Sequence, residues 1–172
     1  TMKGVVARAC GVAAYYPFIN VYFEENTNNF GMLGREVTPL RSMGAYAHMI
    51  TALAHRAYRG DLVTTDPAIQ RARVFGDDER AVVVVYTGAA KSGATVRIDV
   101  PIERLEGIDG RALAVTGDGL VPVPDGMTYV WVKGAKLGAA LRKDTEAAKL
   151  YALSLQAPPR RAKPSPIILQ HR

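Results

Sequence analysis

The chain has 172 residues, 48% hydrophobic and 22% charged, a balance that excludes wholesale disorder and fits one ordinary domain or two small ones. Its formal charge is +6, yet residues 134–172 alone carry eight Lys or Arg against Asp144 and Glu146, while the basic and acidic residues elsewhere cancel. The basic balance therefore belongs to a tail and excludes a nucleic-acid-binding face on the folded part as its source.

Residues 3–14 space Val5, Val6, Ala9 and Cys10 for a helix, with Gly11 as its stop. Lys3 and Arg8 precede an apolar stretch, but Pro17 interrupts it and no small-residue cleavage site follows, so it does not read as a secretory signal. Thr1 ahead of Met2 points to a cut within a longer protein or an added residue. No apolar run approaches the roughly 20 residues of a membrane span. Cys10 is the only cysteine, which excludes an intrachain disulfide.

Residues 18–24 alternate, with Asn20, Tyr22 and Glu24 on one face and Ile19, Val21 and Phe23 on the other, as a strand does. Residues 25–37 follow as a polar loop with Gly31 and Gly34 as turn residues. Thr38 as N-cap and Pro39 as first helical residue then open a helix to about Tyr58, closed by Gly60. Leu40, Met43, Ala47, Ile50, Leu53, Ala54 and Ala57 recur every three or four positions along it and predict one core-facing stripe. Met43 and Met49 are expected in or near the core.

From Asp61 the texture is that of short strands. Runs at Arg71–Phe75, Arg80–Tyr86, Ala94–Val100, Ala112–Thr116, Leu120–Val123 and Thr128–Lys133 are separated by Gly-, Asp- and Pro-rich turns. They predict an antiparallel sandwich or small barrel. Arg80–Tyr86 (RAVVVVY) is apolar enough for a central strand buried on both faces. Beyond Lys133, residues 144–156 predict a short helix, and the Pro-, Arg- and Lys-rich remainder has linker composition.

The chemistry-bearing motifs are few. There is no nucleophile elbow, Gly-rich phosphate loop, paired-Cys motif or His-Glu-x-x-His, and His48 and His55, two turns apart on one helix, fit packing or surface roles better than metal binding. The positive signal is Glu24-Glu25-Asn26-Thr27-Asn28-Asn29 at the end of a strand, where function gathers in parallel α/β architectures. Two adjacent carboxylates suggest a glycosidase, whose pair stands roughly 5 Å apart when retaining and roughly 6.5–9.5 Å when inverting. Consecutive strand residues point to opposite faces, so Glu24 and Glu25 cannot be that pair. At most one faces a cleft, and the alternation with Asn20 and Tyr22 nominates Glu24. The same residues also read as a solvated loop.

The run Phe18-Ile19-Asn20-Val21-Tyr22-Phe23-Glu24-Glu25-Asn26, then Asn29-Phe30-Gly31-Met32-Leu33, then Thr38-Pro39-Leu40-Arg41 into a helix resembles the end of a (β/α)8-barrel glycoside hydrolase. Arg73-Val74-Phe75, Arg80 to Tyr86, Val96 to Val100, Gly107 to Arg111 and Thr128 to Val132 are similar, in order and spacing, to the C-terminal β-sandwich that follows many such barrels. The resemblance covers about residues 12–133. It implies a terminal β/α unit over 1–60, a β-sandwich over 61–133, and a helix with a basic linker or tail over 134–172: a mainly β chain in which an antiparallel sandwich follows a strand–loop–helix unit.

The resemblance further implies that Asn20, Tyr22 and Glu24 line the barrel near a sugar cleft and that Asn26, Asn28 and Asn29 lie at its rim, as substrate-binding candidates. The acid/base and nucleophile of that superfamily come from earlier strands, and no position here matches either. The implied function is the supporting C-terminal part of a glycoside hydrolase acting on poly- or oligosaccharide, inactive alone, with no catalytic residue, metal or cofactor of its own. Its implied partners are carbohydrate and the rest of the barrel, on the same or a separate chain, or a second copy. Without that cover, Ile19, Val21, Phe23, Leu40, Ile50 and Leu53 are expected to be incompletely buried. The alternative is a non-catalytic carbohydrate-binding or protein-interaction sandwich, with Tyr86, Tyr129 and Trp131 as stacking candidates. A third reading, polyanion binding through Arg142 to Arg172, has only Tyr151 for base stacking and is the weakest.

Overall fold

The computed structural model of the chain describes residues 1–16, 22, 24–25, 28–29, 31–64, 67–87, 94–98, 100–134 and 141–142. The helix expected over 144–156 and the Pro-rich tail lie outside them. The described elements run α1 (Met2–Ala9), β1 (Glu24–Glu25), β2 (Asn28–Asn29), α2 (Arg41–Leu53), β3 (Tyr58–Leu62), β4 (Ile69–Gly76), β5 (Ala81–Thr87), β6 (Thr95–Arg97), β7 (Ile102–Gly107), β8 (Ala112–Leu113), β9 (Leu120–Pro122), β10 (Met127–Val132) and β11 (Leu141–Arg142). The chain is mainly β, with two helices among the described residues and antiparallel pairing throughout.

A seven-stranded sheet in the order β11-β3-β4-β5-β10-β7-β8 forms the centre, and a two-stranded sheet, β6-β9, is separate from it. Alternation along the central strands divides the core in two. Ala81, Val83 and Val85 of β5, with Ala72, Val74, Leu105, Val130 and Val132, pack against Val96 of β6, Val121 of β9 and the adjoining Ile98 and Val123. Val82, Val84 and Tyr86, with Phe75, Met127 and Tyr129, pack against Val5 and Ala9 of α1 and Met49, Ala52 and Leu53 of α2. All seven residues of β5 are buried, as RAVVVVY predicts. The layers are therefore small sheet, large sheet and helices.

Helix α1 stops where Gly11 predicts. Gly11 has φ +72°, its N–H donates to Arg8 O and that of Val12 to Ala7 O, the two bonds of a Schellman cap. Helix α2 departs from expectation at both ends. Thr38 and Pro39 do not open it: Gly34 N–H donates to Thr38 O at 2.7 Å and Leu40 N–H to Met32 O at 3.0 Å, so this backbone is committed to a turn, and Leu40 becomes the N-cap. The helix ends at Leu53, well before Gly60, because residues 58–62 are taken into the sheet as β3. Arg56 Nη1 donates to Ala52 O and Ala54 O and satisfies carbonyls at the helix end. Gly60 marks a bulge in the β3–β4 pairing rather than a helix stop. Strand β3 thus crosses residues 60 and 61, where the sequence divides a barrel-like unit from the sandwich.

The helix stripe is also reassigned. The core side of α2 is Ala45, Met49, Ala52 and Leu53. Met43, Ala47 and Ile50 of the predicted stripe are exposed, although Leu53 is buried as a core residue. Met49 is thus a core residue and Met43 is not.

Leu105 on β7 fills the interface between the sheets at 1% exposure. Leu105→Ala is expected to lower the unfolding free energy by about 2–5 kcal/mol, the usual range for a buried Leu truncation. Urea denaturation of the full chain checks this, with the midpoint moving and the slope unchanged.

Candidate functional site

The sequence-predicted site falls partly within the described residues. Asn20 and Asn26 lie outside them. Glu24 and Glu25 pair with Asn29 and Asn28, respectively, as a short hairpin. The Asn28 side chain is exposed. Tyr22 and Glu24, which alternation puts on one face, do meet: the Tyr22 hydroxyl donates to Glu24 Oε2. Arg35 completes the cluster. Its Nη2 donates to Glu24 Oε2 at 2.7 Å, its Nε donates to Tyr22 Oη at 3.0 Å, and its guanidinium carbon lies 5.6 Å from the Tyr22 ring centroid.

Arg35 was not among the sequence candidates. It comes from the Gly34–Thr38 turn, and nothing local in the sequence ties it to a carboxylate eleven positions earlier. The cluster is solvent-facing, with Arg35 75% and Glu24 34% exposed at the side chain, so the pair contributes little to stability. Chemically it holds a carboxylate with two donors already aimed at one oxygen. Such a group can accept hydrogen bonds from sugar hydroxyls through its other oxygen.

A second polar constellation lies between α2 and the β7–β10 end of the sheet, in a cleft of about 630 Å³. Glu106 on β7 is its hub. Trp131 Nε1–H donates to Glu106 Oε2 at 2.6 Å, and Arg104 forms an ion pair with it, Nε 3.0 Å from Oε1. His48 on α2 approaches with Nε2 3.5 Å from Oε2, beyond good hydrogen-bond length, and its ring meets the Tyr129 ring edge-on at 4.6 Å. The approach of Gly110 on the other side is close: a Cβ there would stand 2.7 Å from His48 Nδ1, and φ is +84°. Sequence reasoning gave His48 a packing or surface role. Packing is what it does, within a polar cluster that reasoning missed because Glu106 and Arg104 belong to a strand with no clear alternation.

The three aromatics offered for sugar stacking are accounted for here. Tyr86 and Tyr129 are buried as core residues, and Val130 and Val132 are buried too, because both faces of β10 are covered. Trp131 is half-buried, with the Arg104 and Arg56 guanidinium carbons 4.4 and 4.9 Å from its ring centroid. Guanidinium groups thus lie over the indole within the range of cation–π attraction. Among the described residues no group of three or more His, Cys, Asp or Glu could hold a metal ion, and no helix is long and apolar enough to cross a membrane.

Burial holds the His48 imidazolium pKa below its usual value, with Arg104 acting in the same sense against the attraction of Glu106 and Asp109. The unfolded chain, with a histidine pKa of about 6.5, then binds more protons than the folded one just below that pH. Stability should therefore fall as pH is lowered from about 7.5 to about 5.5, and His48→Gln should flatten that slope in chemical denaturation. The Tyr129 hydroxyl is buried without a hydrogen-bond partner among the described residues, and burial followed by the charge of Glu106 pushes its pKa up. Tyr129→Phe should leave stability unchanged or raise it by about 1–2 kcal/mol, because a desolvated, unpaired group is removed. Thermal unfolding at neutral pH reads this directly.

No protein-family pattern matches the chain, and no curated protein sequence matches it. Among solved structures it is similar to a family 39 glycoside hydrolase from the gut symbiont Bacteroides cellulosilyticus WH2, with a TM-score of 0.51 and 23% sequence identity over 64% of this chain and 24% of that one. The likeness is one of fold. This chain spans about a quarter of that protein's length, and over the matched region the two share a fold.

Proposed function

We propose that this chain is the C-terminal supporting part of a glycoside hydrolase acting on poly- or oligosaccharide. In this reading residues 1–60 contribute the terminal β/α unit of a catalytic barrel, 61–133 form the sandwich that buttresses it, and 134–172 are a helix and basic tail. The strand β3 at the first boundary fits a buttress that is continuous with the unit it supports. Asn20, Tyr22, Glu24, Asn26, Asn28 and Asn29 form one wall of the sugar cleft, with Arg35 orienting Glu24. The catalytic carboxylates come from other strands, on the same or a separate polypeptide.

The observation that carries this reading is the two-sided apolarity of α2. One side is buried on the sheet, yet the opposite side presents Met43 at 40% and Ile50 at 51% exposure, with Ala47 between them. Beside it runs a groove of about 430 Å³ whose walls include Val12, Tyr15, Tyr46 and Ile50. A helix apolar on both sides is a buried helix. The outer helical layer of a barrel, flanked by a neighbouring helix on one side and a sandwich on the other, meets that requirement. In the isolated chain, self-association through the same side takes the place of that cover, and a carbohydrate-binding module is the reading that has lost its stacking platforms.

The purified chain should show no hydrolysis of aryl glycosides above a blank. It should self-associate in a concentration-dependent way that Met43→Lys with Ile50→Lys abolishes without lowering the unfolding midpoint. Light scattering and a chromogenic assay check both. Turnover by the chain alone, or a monodisperse monomer at high concentration, overturns the reading. Gene sequence upstream of the Thr1 codon gives the complementary test: barrel strands ending in two carboxylates support it and their absence sinks it.

A further inference from the structure

We infer that the cleft beside Trp131 is a binding site for an oxyanion, a carboxylate or sulfate group, separate from the Tyr22–Glu24–Arg35 cluster. It does not depend on the glycoside hydrolase reading, since it rests on residues of the sheet and α2 alone.

Three arginines line the cleft, Arg56, Arg80 and Arg104. Arg104 is paired with Glu106 at 3.0 Å. Among the described residues, Arg56 and Arg80 make no ion pair, and the Arg56 side chain donates only to the Ala52 and Ala54 carbonyls at the end of α2. A guanidinium lying over an indole keeps its N–H groups at the rim of the ring, where they can fork onto a planar or tetrahedral oxyanion. The Arg56 and Arg104 guanidinium carbons both lie within 4.9 Å of the Trp131 centroid. The ring therefore holds two cations within cation–π range at the cleft.

At the floor, His48 Nε2 is shielded from solvent with no hydrogen-bond partner among the described residues, 3.5 Å from Glu106 Oε2. Glu106 already accepts from Trp131 and is ion-paired with Arg104, so its charge is largely spent on groups within the protein. The opposing element is Glu103, an exposed carboxylate in the same lining with no ion pair to any described residue. Two unpaired guanidiniums against one unpaired carboxylate leave the open cleft net positive. A neutral sugar has no free aromatic face to stack on here, which leaves charge as the attraction.

The chain contains one tryptophan, so the single indole N–H cross-peak, and the fluorescence excited at the red edge where tyrosine does not absorb, both report this cleft. Titrating the full chain at low ionic strength with sodium sulfate, with glucuronate and with glucose is the test. Saturable shifts with sulfate, with glucuronate or with both, and none with glucose, are expected, and which anion responds identifies an inorganic or a sugar acid as the better occupant. Arg80→Gln should weaken binding roughly tenfold, the loss of one charge-assisted contact. Glu103→Gln should tighten it about two- to threefold by removing the opposing charge. Arg56 also caps α2, so Arg80→Gln, at an exposed position whose side chain has no partner among the described residues, keeps the test free of folding defects. No saturable change with either anion, an equal response to glucose, or binding unaltered in both Arg80→Gln and Glu103→Gln overturns the proposal.

Discussion

The seven residues Ala81–Thr87 are all buried, and that one constraint sets the rest of the architecture. A strand with no solvent side needs a layer over each face. It also needs a paired neighbour on each edge, because unpaired backbone groups in the interior are costly. Strands β4 and β10 supply the edges. The small β6–β9 sheet covers Ala81, Val83 and Val85, and the two helices cover Val82, Val84 and Tyr86. At about 1.5–3 kcal/mol for each Val or larger apolar side chain removed from water, neither cover is optional. The helices are therefore part of the sandwich's core rather than an appendage to it, although in sequence they precede it.

This is why α2 turns the way it does. Two apolar stripes are written along it, one of Met43, Ala47 and Ile50 and one of Ala45, Met49, Ala52 and Leu53. By periodicity the first is as good as the second. The sheet selects the second because Phe75 and Tyr86 are large and demand small partners. Ala52 lets the helix approach closely, while Met49 and Leu53 fill what remains. Ile50 on that face would hold the helix off the sheet. Once the face is chosen, Met43 and Ile50 face away, and the side they share has no cover among the described residues.

What was legible in the sequence follows the same logic. Pattern that depends only on neighbours along the chain came through: the doubly buried RAVVVVY strand, the Gly11 cap and the turn-separated run of strands. Pattern that depends on a distant partner did not. Ile102–Gly107 reads IERLEG, and its charges hide a strand because Arg104 and Glu106 point together into a polar cleft while Leu105 alone faces the inter-sheet core. Gly60 resembles a helix stop because nothing local says that residues 58–62 will be drafted into the sheet. The same division holds at the candidate site. Tyr22 and Glu24 on one face follow from strand alternation, whereas Arg35 joins them only because the turn carrying it folds back.

The polar clusters obey one rule in both places. Each carboxylate accepts one aromatic O–H or N–H and pairs with one guanidinium: Glu24 takes Tyr22 and Arg35, and Glu106 takes Trp131 and Arg104. In each, the arginine also lies over the ring of that same aromatic residue. The three groups lock one another, since the donor fixes the carboxylate rotamer, the carboxylate fixes the guanidinium, and the guanidinium lies over the ring. The environments then separate their roles. Around Glu24 the surface is open and the lock leaves a carboxylate oxygen free to accept. Around Glu106 the shell is tighter, with His48 and Tyr129 at its back, so the carboxylate is consumed internally. What remains available there is positive charge, from Arg56 and Arg80. The same motif thus presents an acceptor at one site and donors at the other, because burial decides which partner of the triad is left facing solvent.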